Sequence, residues 1–404
     1  MWQLITIYNP VMILVLLLGV LLFLCLVAVI WGITSRTKNI LYIESHVVSD
    51  MKKKLEKAAQ TELSLSIGRE LQKKFLPLET DNDGNSCNYG WKIGKKAIFF
   101  GYYEGAGGVS GDYFDYKDLD GRYYAIIKCD VAGKGVPAAL LMVVVATMFN
   151  NYFKDWKRSL SGMRIEELVY HINDLIETLG FKGRFAAFTL CLFDSETGDL
   201  HFCNAGDNRI HVCDASDKLV KSITLPQTPA AGILTSNMVK SKCGYQVQTI
   251  TLGQGDILLL FTDGIEDSKC CEGSEEFGSY RVNDIINAVL NRRTYSLHAS
   301  RNHGEDQDLS FDYSLCSGNA EDIIMALICA EKMFRCYRDS TVTKNDRVPV
   351  DKKVDAFLKK HFMQYQYYCS LASKNPDNNF YMYYNHLKED TQYDDLAILG
   401  IERK

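Results

Sequence analysis

Four short segments place aspartate where an apolar run ends or a glycine turn begins. They are "SGDYFD" (Asp112, Asp115), "IIKCDVAGKG" (Asp130), "LLLFTDGIED" (Asp263) and "TQYDDLAIL" (Asp394, Asp395). An ionised carboxylate at the end of a buried strand is costly unless it is solvated, paired or coordinated. A solvated turn explains any single Asp-Gly pair. Four such sites, with no matching set of lysines or arginines in the same frames, favour a shared cation over ion pairs. All-oxygen donors suit a hard ion, Mg²⁺ or Mn²⁺, better than zinc. Two such ions ~4 Å apart can clamp a phosphoryl oxygen and lower the pKa of a bridging water, so that no nucleophilic side chain is required. No GxSxG elbow, Walker A sequence or cysteine beside a histidine base competes with this reading. "GAGGVSG", from Gly105 to Gly111, lacks a GKS ending and does not lead into a helix, so it is discounted as a nucleotide loop.

The elements that must carry these acids are short strands bounded by Gly, Asp or Asn. The spacing predicts strands over Ala97 to Tyr103, Tyr123 to Val131, Phe185 to Phe193, Leu200 to Cys203 and Ile257 to Phe261. Helices are expected over Pro137 to Phe153, Ile165 to Leu179 and Val282 to Leu290. From about Thr294 to Tyr393, polar loops such as "HASRNHGEDQDLSFDYS" alternate with helical blocks at Ala320 to Tyr337 and Val350 to Phe362. Met325, Met333 and Phe334 there read as core, with a docking surface as the alternative. "DDLAILGIE" returns to strand.

Upstream, the first 35 residues carry no charge, and Pro10 to Ile33 is apolar over the ~20 residues that cross a bilayer. A cleaved signal peptide would need a basic start and a shorter apolar run. Arg36, Lys38 and Lys52 to Lys54 follow the span, which places the bulk of the chain in the cytoplasm by the positive-inside rule. We therefore expect a single-pass cell-membrane anchor in residues 1–35 and a helical linker in 36–78 that Pro77 ends. The linker's apolar residues run at helical spacing, from Val48, Met51 and Leu55 to Ile67, Leu71 and Phe75. They suit either a homodimer through this helix or packing on its own domain. The heptad pattern is too short to establish a coiled coil.

Composition narrows the classes further. The chain has 404 residues, 47% hydrophobic and 24% charged, enough for two or three structural units at ~150 residues each. A net charge of −5 with dispersed basic residues argues against a nucleic-acid partner. The 13 cysteines are odd in number and mostly single within apolar runs, Cys270 and Cys271 being adjacent, with no CxxC. That pattern excludes zinc spacing and a secreted disulfide framework, and fits reduced thiols.

In order, "SGDYFDY…CDVAGKGVPAALLM…FCNAGDNR…PAAGI…LLLFTDGIED…DDLAIL" resembles the SpoIIE/RsbU-like branch of the PPM-type metal-dependent serine/threonine protein phosphatases. The similarity spans about Gln60 to Phe277 and the last strand. The resemblance implies an α+β fold of two packed antiparallel β-sheets flanked by helices, over residues 79–404, with an atypical insertion at about 294–393. It implies two Mn²⁺ or Mg²⁺ ions held by Asp112, Asp130 with the carbonyl of Val131, Asp263 and Asp394. It also implies hydrolysis of phosphoserine or phosphothreonine on a phosphoprotein, by analogy a STAS-type anti-sigma-factor antagonist in a partner-switching pathway. Two positions depart from the pattern: the usual AGHN reads Ala205-Gly206-Asp207-Asn208, and Ala397 replaces the threonine of the final motif. The alternative class is a non-catalytic pseudophosphatase that binds a phosphoprotein, whose mark would be lost carboxylates. With no separate sensor between span and catalytic region, the linker helix is expected either to transmit regulation or to act as a passive spacer.

Overall fold

The computed structural model describes the backbone of residues 2–106, 108–181, 183–270, 275–300, 307–338, 341, 349–368, 381–383, 387–389, 392 and 394–404. The chain divides into two compact units, Met1–Ser64 and Leu65–Lys404. Helix α1, Trp2–Lys73, runs through both anchor and linker, where the sequence suggested two separate segments. No proline lies between Val11 and Lys73 to break it, and Pro77 stops it. Within α1, Met12–Arg36 is the one stretch among the described residues long and apolar enough to cross a membrane, by length and composition. Further along, Ile67 and Leu71 are exposed.

The second unit is built on two antiparallel sheets. One contains β3 (Tyr113–Asp118), β4 (Tyr123–Val131), β5 (Ala186–Asp194), β6 (Asp199–Ala205) and β9 (Gln248–Thr251), in that order. In the other, β1 (Tyr89–Ile93) and β2 (Ala97–Glu104) flank the C-terminal strand Leu396–Arg403, followed by β10 (Ile257–Phe261), β7 (Arg209–Asp214) and β8 (Leu219–Thr224). The C-terminal strand is central, pairing with β2 on one side and β10 on the other. Side-chain alternation along it serves two cores: Ala397, Leu399 and Ile401 join the cluster shared with β4 and β5, while Leu396 and Ile398 join the opposite one.

Helices cover both outer faces. Helix α2 (Val136–Tyr152) carries Pro137 in its first turn and buries Ala138, Leu141, Met142, Val145 and Phe149 against the five-stranded sheet. A short turn, α3 (Arg158–Ser161), leads to α4 (Glu166–Leu179), which ends on the left-handed Gly180. Then comes α5 (Ser236–Lys242), capped by the Thr235 side chain, which accepts from Met238 N. On the other face lie α6 (Gly278–Leu290), α7 (Ala320–Arg335) and α8 (Lys352–His361), whose apolar residues form the second core with β2 and β10.

The long segment from Thr294 is therefore woven into that core. Met325, Met333 and Phe334 are buried, as core residues rather than a docking surface. Where polar loops were expected, Thr294–Ala299 and Gln307–Asp312 form an antiparallel hairpin. Its period-2 pattern is real: Leu297, Leu309 and Phe311 are buried, while His298 and Asp308 pair on the exposed side at 2.9 Å. The polar residues in between hid the alternation. Cys271, residues 301–306 and most of 369–393 lie outside the described residues.

Phe334 packs edge-on against Phe277, ring centroids 5.3 Å apart, joining α7 to the entry of α6. Phe334→Ala should cost about 3–5 kcal/mol of unfolding free energy by urea titration, as a core residue does. A change below about 1 kcal/mol would show that α7 is peripheral.

Candidate active site

Each acid is carried by a strand end or by the turn beside it. Asp112 immediately precedes β3, Asp130 is the penultimate residue of β4, Asp263 follows β10 by two residues, and Asp394 and Asp395 precede the C-terminal strand. Thr262 ties two of these ends together. Its hydroxyl donates to Asp112 Oδ2 at 2.6 Å and accepts from Ala397 N at 3.1 Å. Ala397, where the resemblance would have threonine, thus contributes its backbone. Asp395 accepts from Ala106 N at 2.8 Å and Gly111 N at 3.3 Å, which pins the glycine-rich loop over the site. Gly264 is required by close approach, since a β-carbon there would lie 1.8 Å from the carbonyl oxygen of Asp395.

The linker reaches this loop from the other side. Ser110 N donates to Gln72 Oε1 at 2.9 Å, Gln72 Nε2 donates back to Ser110 O, and Arg69 Nε donates to Gly108 O at 3.0 Å. Ser110 Oγ in turn accepts from Asp112 N at 3.0 Å. Gln72 is a buried polar side chain that the acid-bearing motifs do not include; it is the penultimate residue of α1.

Electrostatics show that the acids face one another. Burial, then the charges of Asp130 and Asp395, hold the Asp112 carboxyl well above the ordinary carboxylate range. Burial, then Asp263 and Asp394, push Asp130 up to about 7. Asp263, although exposed, is raised by partial desolvation first, then by Asp267 and Asp394. Asp395 is raised by burial against the hydrogen bonds it accepts. Like charges held this close resist ionising together. Asp115 stands apart: it accepts from Tyr113 Oη at 2.9 Å and Asn150 Nδ2 at 3.3 Å, and lines a different hollow with Lys74, Lys117 and Lys154.

Lysines do lie in these frames: Lys134 pairs with Asp394 Oδ2 at 3.1 Å, and Lys128 pairs with Asp207 Oδ2 at 2.8 Å. Both belong to "IIKCDVAGKG", but the partners come from other elements, which spacing along one segment does not reveal. Lys128 did leave a signal, as a lone cation inside the apolar run of β4. A cleft of 260 Å³ opens beside the acids, lined among others by Lys128, Asp130, Asp207, Arg209, His211 and Asp263. His211 stacks on Phe261, and burial lowers its pKa to about 4, leaving it neutral.

The donors fit a hard divalent ion in their chemistry: carboxylate oxygens, with Asp112 and Asp130 raised by burial and then by neighbouring acids whose repulsion a cation would relieve. Among the described residues, no three His, Cys, Asp or Glu side chains already converge as a ligand shell.

Residues 120–308 match the family model for Stage II sporulation protein E (SpoIIE). That stretch, just under half of the chain, is SpoIIE-like and similar to the PPM-type phosphatases. The matched stretch of this SpoIIE-like domain includes Asp130 and Asp263; Asp112 and Asp394 lie outside it. Protein IcfG of Synechocystis sp. is 25% identical over 57% of this chain and 37% of its own length. Phosphoserine phosphatase RsbP of Bacillus subtilis is 23% identical over 51% of this chain and 46% of its own length. The chain thus spans less than half the length of either curated relative. The SiaA-PP2C domain of Pseudomonas aeruginosa superposes with a TM-score of 0.50 at 15% identity, covering 86% of this chain and 99% of that one, a likeness of fold.

The raised carboxyls set a pH dependence for the metal-free protein. A carboxyl whose folded pKa lies above its unfolded one binds its proton more tightly when folded, so stability falls as pH rises from ~4 through about 7. Asp130→Asn removes one of the repelling charges. In chelator at pH 8 it should be more stable than the parent by about 1–2 kcal/mol, the gain vanishing toward pH ~4 in thermal unfolding. Equal stability at both pH values would mean the charges do not meet.

Proposed function

We propose that the chain is a membrane-anchored phosphatase that hydrolyses phosphoserine or phosphothreonine on a protein, in a reaction that depends on Mn²⁺ or Mg²⁺. The observation that carries this reading is the set of mutually repelling carboxylates at the strand ends, with Asp112 buried, Asp130 half-buried and Asp263 exposed. Asp112, Asp130, the carbonyl of Val131, Asp263 and Asp394 would hold two ions. When bound, the ions would supply positive charge for the phosphoryl oxygens and lower the pKa of water. The chain's own residues do the positioning. Thr262 orients Asp112 by donating to it, the glycine-rich loop fixes Asp395 through two N–H groups, and neutral His211 walls the adjoining cleft. The catalytic region is residues 79–404, with 294–393 as its unusual connection.

The name of RsbP supports a phosphoserine substrate, and we take that substrate to be a small STAS-type protein of a partner-switching system. The apolar Met12–Arg36 stretch and the basic residues after it support a single-pass anchor with the catalytic region in the cytoplasm. The exposed Ile67 and Leu71 stripe supports pairing of two copies through α1. The Gln72 clasp on the Ser110 loop supports transmission from the linker to Asp112. A second reading, a non-catalytic phosphoprotein binder, draws on the Lys134 pairing of Asp394.

A turnover assay with a phosphoserine protein or a generic phosphate ester decides between the two. Activity should appear with Mn²⁺, vanish in chelator, and fall at least ~100-fold in Asp130→Asn and Asp263→Asn with circular dichroism unchanged. Near-normal rates in either variant at saturating Mn²⁺ would end the enzymatic reading. For topology, protease added to sealed spheroplasts should leave the catalytic region uncut, and cleavage without rupture would reverse the orientation.

A further inference from the structure

Lys128 is an internal cation: it sits in β4, 6% exposed, two residues before Asp130. Its ammonium is held by Asp207 Oδ2 at 2.8 Å and donates to the carbonyl oxygen of Phe261 at 3.1 Å, two residues before Asp263. Asp207 is itself fixed in place. The Thr189 hydroxyl donates to its Oδ2, Asn208 N to its Oδ1 at 2.9 Å, and Asn204 Nδ2 to its carbonyl oxygen at 2.6 Å. Lys128, Asp130, Asp207 and Asp263 line the same cleft. A lysine on a flexible four-carbon stem next to three aspartates pairs with whichever is presented to it. Here the aspartate presented is the one that departs from the AGHN pattern.

We propose that Asp207 is a positioning residue that sequesters Lys128: by occupying the ammonium it keeps Asp130 and Asp263 available to a divalent cation. The inference rests on the metal-dependent reading above. Without the Asp207 charge, Lys128 turns to Asp130 or Asp263 and competes with the ion for them. A purely structural ion pair would also tolerate loss of both partners better than loss of one, but through stability; sequestration instead changes Mn²⁺ affinity in variants whose melting temperature matches the parent.

The test uses the full chain in lipid nanodiscs and measures Mn²⁺ affinity directly, by electron paramagnetic resonance of the free ion, alongside the Mn²⁺ concentration that half-saturates turnover. Asp207→Asn should weaken Mn²⁺ binding about tenfold or more, as expected when one nearby charge pair is re-formed on the ligands. Lys128→Met with Asp207→Asn should bring the affinity back to within about threefold of the parent, since both charges are then gone. If Asp207→Asn alone does not fold, Lys128→Met is compared with the double variant. With no lysine to hold, the two should bind Mn²⁺ equally, and a further loss in the double overturns the proposal. Unchanged affinity in a folded Asp207→Asn, or no recovery in the double, overturns it as well. A parent that binds no Mn²⁺ would instead refute the metal reading itself.

Discussion

Carboxylates gathered at the ends of buried strands repel one another, and the surrounding architecture must hold them against that repulsion. Asp112, Asp130, Asp263 and Asp395 all have raised pKa values, each from burial first and, except for the hydrogen-bonded Asp395, chiefly from neighbouring acids next. A flexible scaffold would relax such a cluster into solvent. Here the acids are anchored to strands of two different sheets, and Thr262 bridges them by bonding both Asp112 and the backbone of the C-terminal strand. The site therefore stores unfavourable electrostatics that folding elsewhere must offset.

That offset comes from two cores on either side of the six-stranded sheet. Residues of the C-terminal strand alternate between them, so the strand that delivers Asp394 and Asp395 is gripped on both faces. The segment between Thr294 and Arg335 completes the second core with its hairpin and α7, which accounts for an apolar content that a solvent-facing loop would not need. Buried Glu331 of α7 bonds both Ser268, close behind the Asp263 turn, and Arg335. The connection thereby buttresses the loop that presents Asp263.

The glycine-rich loop is the other positioning device. Its N–H groups bond Asp395 on one side, and Gln72 at the end of α1 bonds Ser110 on the other. Ser110 thereby joins the last turn of α1 to the backbone of Asp112 through two hydrogen bonds.

Much of this was legible in the sequence because it depends on local pattern. Strands over Tyr123–Val131 and Ile257–Phe261 follow from runs of aromatic and β-branched residues, and α2 from Pro137 and the apolar spacing after it. Those strands, each with an acid at its C-terminal end, already point to a site of oxygen donors. What the sequence could not decide is which charges meet, because pairing across sheets depends on register and crossing rather than on spacing along a segment. Asp112 and Asp115 lie three residues apart, yet one bonds Thr262 at the acid cluster while the other bonds Tyr113 and Asn150 at a separate hollow. Lys128 and Lys134 lie beside Asp130 in the chain, yet their partners are Asp207 and Asp394, brought from residues far along it. Only the closed sandwich, by setting strand against strand, determined that one lysine would be held by an acid outside the cluster and the other by an acid within it.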